Sequence, residues 1–200
     1  MKKYVVVMLL ILIMGLFQVA HGQGEMSISA GANLSLPLGS DFAGVGFGAT
    51  GLFAYSINPL LSVTGTLGYI IYAGKDQEFS SGTTSSKVEY DLSAIPILGG
   101  VRYNVGGGVE GAPQPYLSGQ LGLFLFSGDT KVTTEFFNPF TQQTETQEST
   151  GDLESSSEVA IGAGGGVLLG NFDLSAAILL ISDLNQIMAT VAYNFPIGSK

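Results

Sequence analysis

Between Met26 and Gly39 the chain reads MSISAGANLSLPLG, a stretch that alternates with a period of two. One parity carries Ile28, Ala30, Ala32, Leu34 and Leu36; the other carries Ser27, Ser29, Gly31, Asn33 and Ser35. That period puts apolar side chains on one face of a β-strand and small polar ones on the opposite face. A strand of a soluble barrel hides its apolar face and shows water a face that includes Lys and Glu. Here neither face bears a charge, so the apolar side needs a different surrounding.

The pattern recurs along the chain. From Gly44 to Ile57 one parity holds Val45, Phe47, Ala49, Gly51, Phe53, Tyr55 and Ile57, against Gly44, Gly46, Gly48, Thr50, Leu52, Ala54 and Ser56. From Leu61 to Ala73, Leu61, Val63, Leu67, Tyr69 and Ile71 oppose Ser62, Thr64, Thr66 and Gly68. Five further strands are expected at Val88 to Val105, Gln114 to Ser127, Glu158 to Leu169, Phe172 to Ile181 and Gln186 to Phe195. Most of the eight exceed the 9–11 residues or so that a tilted strand needs to cross a bilayer. The apolar run Val159 to Ile181 is broken by glycines, by the turn signal Gly170–Asn171 and by Asp173, which favours a hairpin over a membrane helix.

Composition fits the same picture. Charged residues make up 12% of the chain, about half the ~25% of soluble proteins. Glycine, at 29 of 200 residues, is about twice its usual ~7% share. The absence of cysteine excludes a disulfide framework and a thiolate metal site.

The first 22 residues read as a secretory signal. Lys2 and Lys3 precede the apolar run Tyr4 to Phe17, and Ala20 and Gly22 provide small residues for cleavage. The run is shorter than the ~20 residues of a membrane anchor. A mature domain of residues 23–200 is therefore expected. It lacks the chain's one histidine, His21, and keeps five of the seven basic residues against sixteen acidic ones, which argues against nucleic acid as a partner.

The connections alternate in length. Ile57 to Leu60, Gly106 to Pro113 and Gly170–Asn171 lie at one end; Pro37 to Ala43, Gly74 to Lys87, Gly128 to Ser155 and Ser182 to Asn185 lie at the other. Outer-membrane barrels have short periplasmic turns and longer outer loops. On the apolar parity, Tyr55, Tyr103, Phe172, Tyr193 and Phe195 all fall at the short-turn end, where a periplasmic aromatic girdle belongs. Strands cross a bilayer only as a closed sheet. The expected fold is thus all-β: an eight-stranded antiparallel up-and-down transmembrane barrel, with lipid outside and the Gly/Ser/Thr/Asn face filling a narrow lumen.

With LSAIPILGGVRYNV (Leu92 to Val105) and the closing MATVAYNF (Met188 to Phe195), the mature chain resembles the small eight-stranded outer-membrane barrels. These include the OmpA membrane domain and the OmpX- and OmpW-like proteins. The resemblance implies outer-membrane lipid as surroundings and recognition of the last strand by the barrel-insertion machinery, although Pro196 to Lys200 follow the final aromatic. It further implies either a structural or surface-interaction role, or a narrow channel for small or apolar solutes. Enzymes on such barrels resemble histidine-dependent sites, and without His21 no Ser–His or Asp–His device can form. A non-enzymatic protein without a cofactor is expected.

Two charges lie on the lumen parity at similar depth, Arg102 and Asp173. A lone charge there is costly and a hydrogen-bonded pair tolerable, so the two are expected to pair, with Asn194, and to plug the floor of the barrel. The acids Glu89 with Asp91, and Asp152 with Glu154, read as solvated loop charges. The long loop's acids lack the D-x-D-x-D-G spacing of a calcium loop. Within the same loop, Phe136, Phe137 and Phe140 are expected to form a patch that either packs on the barrel rim or acts as an interaction patch for a surface partner.

Overall fold

A computed structural model of the chain describes residues 25–40, 43–74, 77–81, 84–105, 112–138, 143–182 and 184–197. The expected signal segment and its cleavage point lie outside these. The described strands are β1 (Met26–Pro37), β2 (Ala43–Asn58), β3 (Leu61–Gly74), β4 (Gln77–Ser81), β5 (Thr84–Asn104), β6 (Gln114–Asn138), β7 (Gln143–Leu169), β8 (Phe172–Ile181) and β9 (Gln186–Ile197). All neighbours pair antiparallel in the order β3-β2-β1-β9-β8-β7-β6-β5-β4, and β3 also pairs with β5. That extra pairing closes an eight-stranded ring and leaves β4 outside it. Every ring strand is thereby paired on both sides at the level of the barrel, so no backbone edge is open there.

The exterior follows directly from the alternation. Ile28, Phe47, Leu67, Val101, Leu121, Ile161, Ile178 and Val191 all point outward, and Phe47 and Leu117 are each 61% exposed. No charged residue occurs on this parity through the barrel. Soluble monomers rarely expose apolar patches beyond a few hundred Å², whereas this belt runs around the whole ring.

At the short-turn end, Asn58 Oδ1 accepts hydrogen bonds from the amides of Leu60 and Leu61, both at 2.9 Å, and ties the β2–β3 turn. Gly170 opens the β7–β8 turn at φ +59°, a conformation that a side chain would strain.

The opposite end departs from expectation. Residues expected as loops at Gly74 to Lys87 and Gly128 to Ser155 are largely strand. β4 pairs with the start of β5, β5 with β6 out to Thr84↔Phe136, and β6 with β7 out to Asn138↔Gln143. Strands β4 to β7 therefore continue beyond the barrel as a four-stranded extension. A register shift between Phe126 and Gly128 in the β6–β7 ladder marks the transition. Along β7 the described side chains from Thr146 to Thr150 are exposed on both parities, so the apolar alternation that reveals a half-buried strand is missing.

The lumen also differs from the expected small polar filling. Its half nearest the extension holds Ile70, Tyr72, Leu98, Phe124, Phe126, Leu179, Ile181 and Met188 as a buried apolar cluster. The physical reason lies in the continuous apolar runs YIIY (Tyr69 to Tyr72), LFLF (Leu123 to Phe126) and ILLI (Ile178 to Ile181), which are the pattern of strands apolar on both faces. Only the half nearest the short turns is lined mainly by Ser, Thr and charged residues.

Candidate functional site

The polar half of the lumen is organised around Arg102 of β5, Tyr116 of β6 and Asp173 of β8, all buried. Arg102 Nη2 donates to Asp173 Oδ2 at 2.7 Å and to Tyr116 Oη at 3.2 Å, and Tyr116 Oη in turn donates to Asp173 Oδ1 at 2.6 Å. The guanidinium carbon also lies 3.9 Å from the centroid of the Tyr116 ring, adding a cation–π contact. Each carboxylate oxygen thus holds a short hydrogen bond, which offsets part of the cost of taking two charges out of water.

The register explains the convergence. Ser118 stands opposite Arg102, and Tyr116, two positions earlier on the same face, reaches across the floor. Gly166 makes room for it: a Cβ there would lie 2.5 Å from Tyr116 Oη. Arg102 and Asp173 are brought together as a pair, but their third partner is Tyr116 rather than Asn194. Asn194 Oδ1 instead accepts from Ser29 Oγ at 3.1 Å, between β9 and the neighbouring β1. The signal for Tyr116 was present in its parity and depth, obscured because a tyrosine on a barrel strand reads first as an interfacial aromatic.

Beside this cluster lies a cavity of about 60 Å³, lined by the cluster and by Ser29, Thr50, Thr64, Ser118, Ser175 and Thr190 among others. A water needs roughly 10–15 Å³ of such space, so the chamber has room for a few waters. Arg102 Nε is buried without a protein partner. Above it, the apolar cluster closes the lumen: Ile70, Phe124 and Leu179 are each 0% exposed, and Phe124 and Phe126 stack with ring centroids 5.9 Å apart. Within that cluster the phenol of Tyr72 donates to Gln186 Oε1 at 2.7 Å.

Of the expected girdle residues, Tyr103, Phe172, Tyr193 and Phe195 are exposed on the outer face, and Tyr55 is half-buried there. Phe172 and Tyr193 meet edge to face at 5.4 Å, Tyr193 and Phe195 at 4.8 Å, and Asn171 Nδ2 donates to Tyr193 Oη at 2.8 Å. In the extension, Phe136 stands opposite Thr84 and Glu145, and Phe137 opposite Thr144. Consecutive ladder positions belong to opposite faces, so the ladder separates two positions that the sequence groups as one patch. Phe140 lies outside the described residues. Lys131 Nζ and Glu148 Oε2 form an exposed ion pair across β6 and β7 at 3.2 Å.

A closed ring of eight strands, with an uncharged apolar exterior and its charges enclosed, is the architecture of a transmembrane β-barrel. Solved structures of similar shape include Ail, the attachment invasion locus protein of Yersinia pestis, at 20% identity and a TM-score of 0.48, covering 87% of this chain and 100% of that one. The N-terminal β-barrel domain of Pseudomonas aeruginosa OprF follows at 17% and 0.40, covering 86% and 100%. Neisserial surface protein A is similar at 14% and 0.44, covering 86% and 97%. No protein-family model and no curated protein matches the sequence. The pairing ring and the apolar exterior place the chain in this class; these distant likenesses do not.

Proposed function

We propose that this chain is a non-enzymatic protein of the bacterial outer membrane, closed to solutes, which acts through the acidic sheet it raises above the membrane. Export by the segment 1–22 would deliver residues 23–200 to the periplasm. There β9, with Phe195 beside Ile28 of β1 in the ring-closing ladder, would be the strand read by the insertion machinery. Tyr55, Tyr103, Phe172, Tyr193 and Phe195 then sit at the periplasmic interface, and the extension of β4 to β7 stands outside.

The observation that carries this reading is the filled upper lumen. Side chains with no exposed surface occupy the level of Phe124, Ile70 and Leu179, and the enclosed polar cluster below is internally paired. Neither layer leaves a reactive group facing a substrate, so interaction chemistry falls to the extension. The runner-up is a narrow channel or carrier for small or apolar solutes, for which the chamber beside Arg102 is the one favourable feature. Single-channel recording in planar bilayers separates the two: no steps above baseline are expected, and discrete conductance in the wild-type protein that rises on widening the lumen and is lost on blocking it would favour the channel.

A further inference from the structure

The chamber beside the Arg102 cluster has a lining of two kinds. Thr64 and Thr66 of β3, Ser118 and Gln120 of β6 and Thr190 of β9 face it from three sides of the ring. All five stay partly exposed inside the lumen, and among the described residues none of their side chains is engaged in a hydrogen bond within the protein. Between them lie Leu52, Ala177, Met188 and Ala192. The hydroxyls and the amide can both donate and accept, whereas the apolar residues offer a bound water nothing.

Charge and volume narrow the occupant. Arg102 and Asp173 neutralise each other at 2.7 Å, and an ion taken into the barrel would find no free counter-charge to offset its lost hydration. The occupant is therefore neutral. At roughly 10–15 Å³ for each water, a cavity of about 60 Å³ holds about four to six waters, or one molecule of similar bulk. Each water would need two or more polar partners, which the apolar part of the wall withholds. A small polyol suits both parts of the lining. Its hydroxyls reach the Thr, Ser and Gln groups, its C–H groups lie on Leu52, Ala177 and Met188, and one molecule is ordered in place of several waters. We infer that the chamber is a binding site for a small neutral polyol, of the size of glycerol. The paired ring shuts the site off from the bilayer, and the layer of Ile70, Phe124 and Leu179 shuts it off from the outer end. The ligand therefore comes from water at the short-turn end. Occupancy leaves the lumen closed, and the site is independent of the acidic extension.

The test uses the full mature chain in lipid nanodiscs, prepared without glycerol, with isotope-labelled methyl groups on methionine, alanine, threonine and isoleucine. Titration with glycerol is expected to give saturable shifts in the NMR spectrum at Met188, Ala177, Thr64 and Thr66, at about millimolar ligand, and none at the lipid-facing Ile161 and Ile178. Mannitol, a polyol too bulky for the chamber, should shift none of them. Thr64→Val/Thr66→Val keeps the side-chain shape and removes two hydroxyls, and its affinity for glycerol should fall at least tenfold. Ala177→Leu fills the space and should abolish the saturable shifts. If the leucine variant fails to fold, which gel migration before and after boiling reports, the threonine variant carries the test. Three results would overturn the site: shifts that grow linearly with glycerol and are equal at Met188 and Ile178, equal binding by the threonine variant, or no shift at Met188 and Ala177 in excess glycerol. Mannitol binding as tightly as glycerol would overturn it too.

Discussion

The two halves of the lumen occupy the same strand parity and are filled by opposite chemistry. Near the short turns, Arg102, Tyr116 and Asp173 enclose two charges and satisfy them through short hydrogen bonds. Near the extension, Phe124, Phe126, Ile70, Leu179 and Ile181 fill the same cross-section with apolar volume. The outer face needs only to be apolar throughout, because it meets one solvent. The inner face has two tasks, to pack and to stay closed, and a charged network and an apolar plug are two solutions to them. The polar layer depends on every partner being present; the apolar layer tolerates partial repacking.

The sharpest way to break the comparison is to remove one half of the buried pair. Asp173→Ala leaves Arg102 buried without a carboxylate and is expected to destabilise the barrel by about 4 kcal/mol, read from urea unfolding in lipid vesicles. Arg102→Met combined with Asp173→Leu should recover most of that loss, because replacing a buried pair by apolar residues is often neutral. A double variant as unstable as the single one would show that the cluster contributes more than satisfied charge.

In the apolar layer, Phe124→Ala should cost about 3 kcal/mol, somewhat less than the charge deletion, because the stacked Phe126 can move into part of the space. Tyr72→Phe removes the hydrogen bond to the fully buried Gln186 and should cost about 1–2 kcal/mol in the same assay. Smallest is Glu148→Gln in the extension. The partner Lys131 is exposed and the pair is screened by solvent, so the effect should be within about 0.5 kcal/mol. A larger value would mean that the extension and the barrel unfold as one unit.

The exterior was legible because period-two alternation over Met26 to Leu36, Val45 to Ile57 and Gln186 to Phe195 records a single constraint, one face against lipid. The Arg102–Asp173 contact was legible for a related reason: two inward charges at one depth in a narrow ring have few other partners. Tyr116 was not singled out, since a tyrosine can serve the interface or the interior equally well. The apolar plug was missed because a strand apolar on both faces carries no alternation, although YIIY and ILLI marked the places. The upper parts of β5, β6 and β7 read as loop because runs of Ser, Thr, Gln and Glu leave no hydropathy alternation. There the pairing is a matter of backbone register, continued outward from the barrel below.

The central claim is that the apolar parity faces acyl chains, and the chain has no cysteine, so single nitroxide labels test it directly. Labels at Leu67→Cys, Leu121→Cys and Ile178→Cys in vesicles should collide more often with oxygen, which concentrates in lipid, than with a water-soluble nickel chelate, and a label at Thr150→Cys should show the reverse order. Preferential collision with the nickel chelate at all three barrel positions would contradict a lipid-facing exterior.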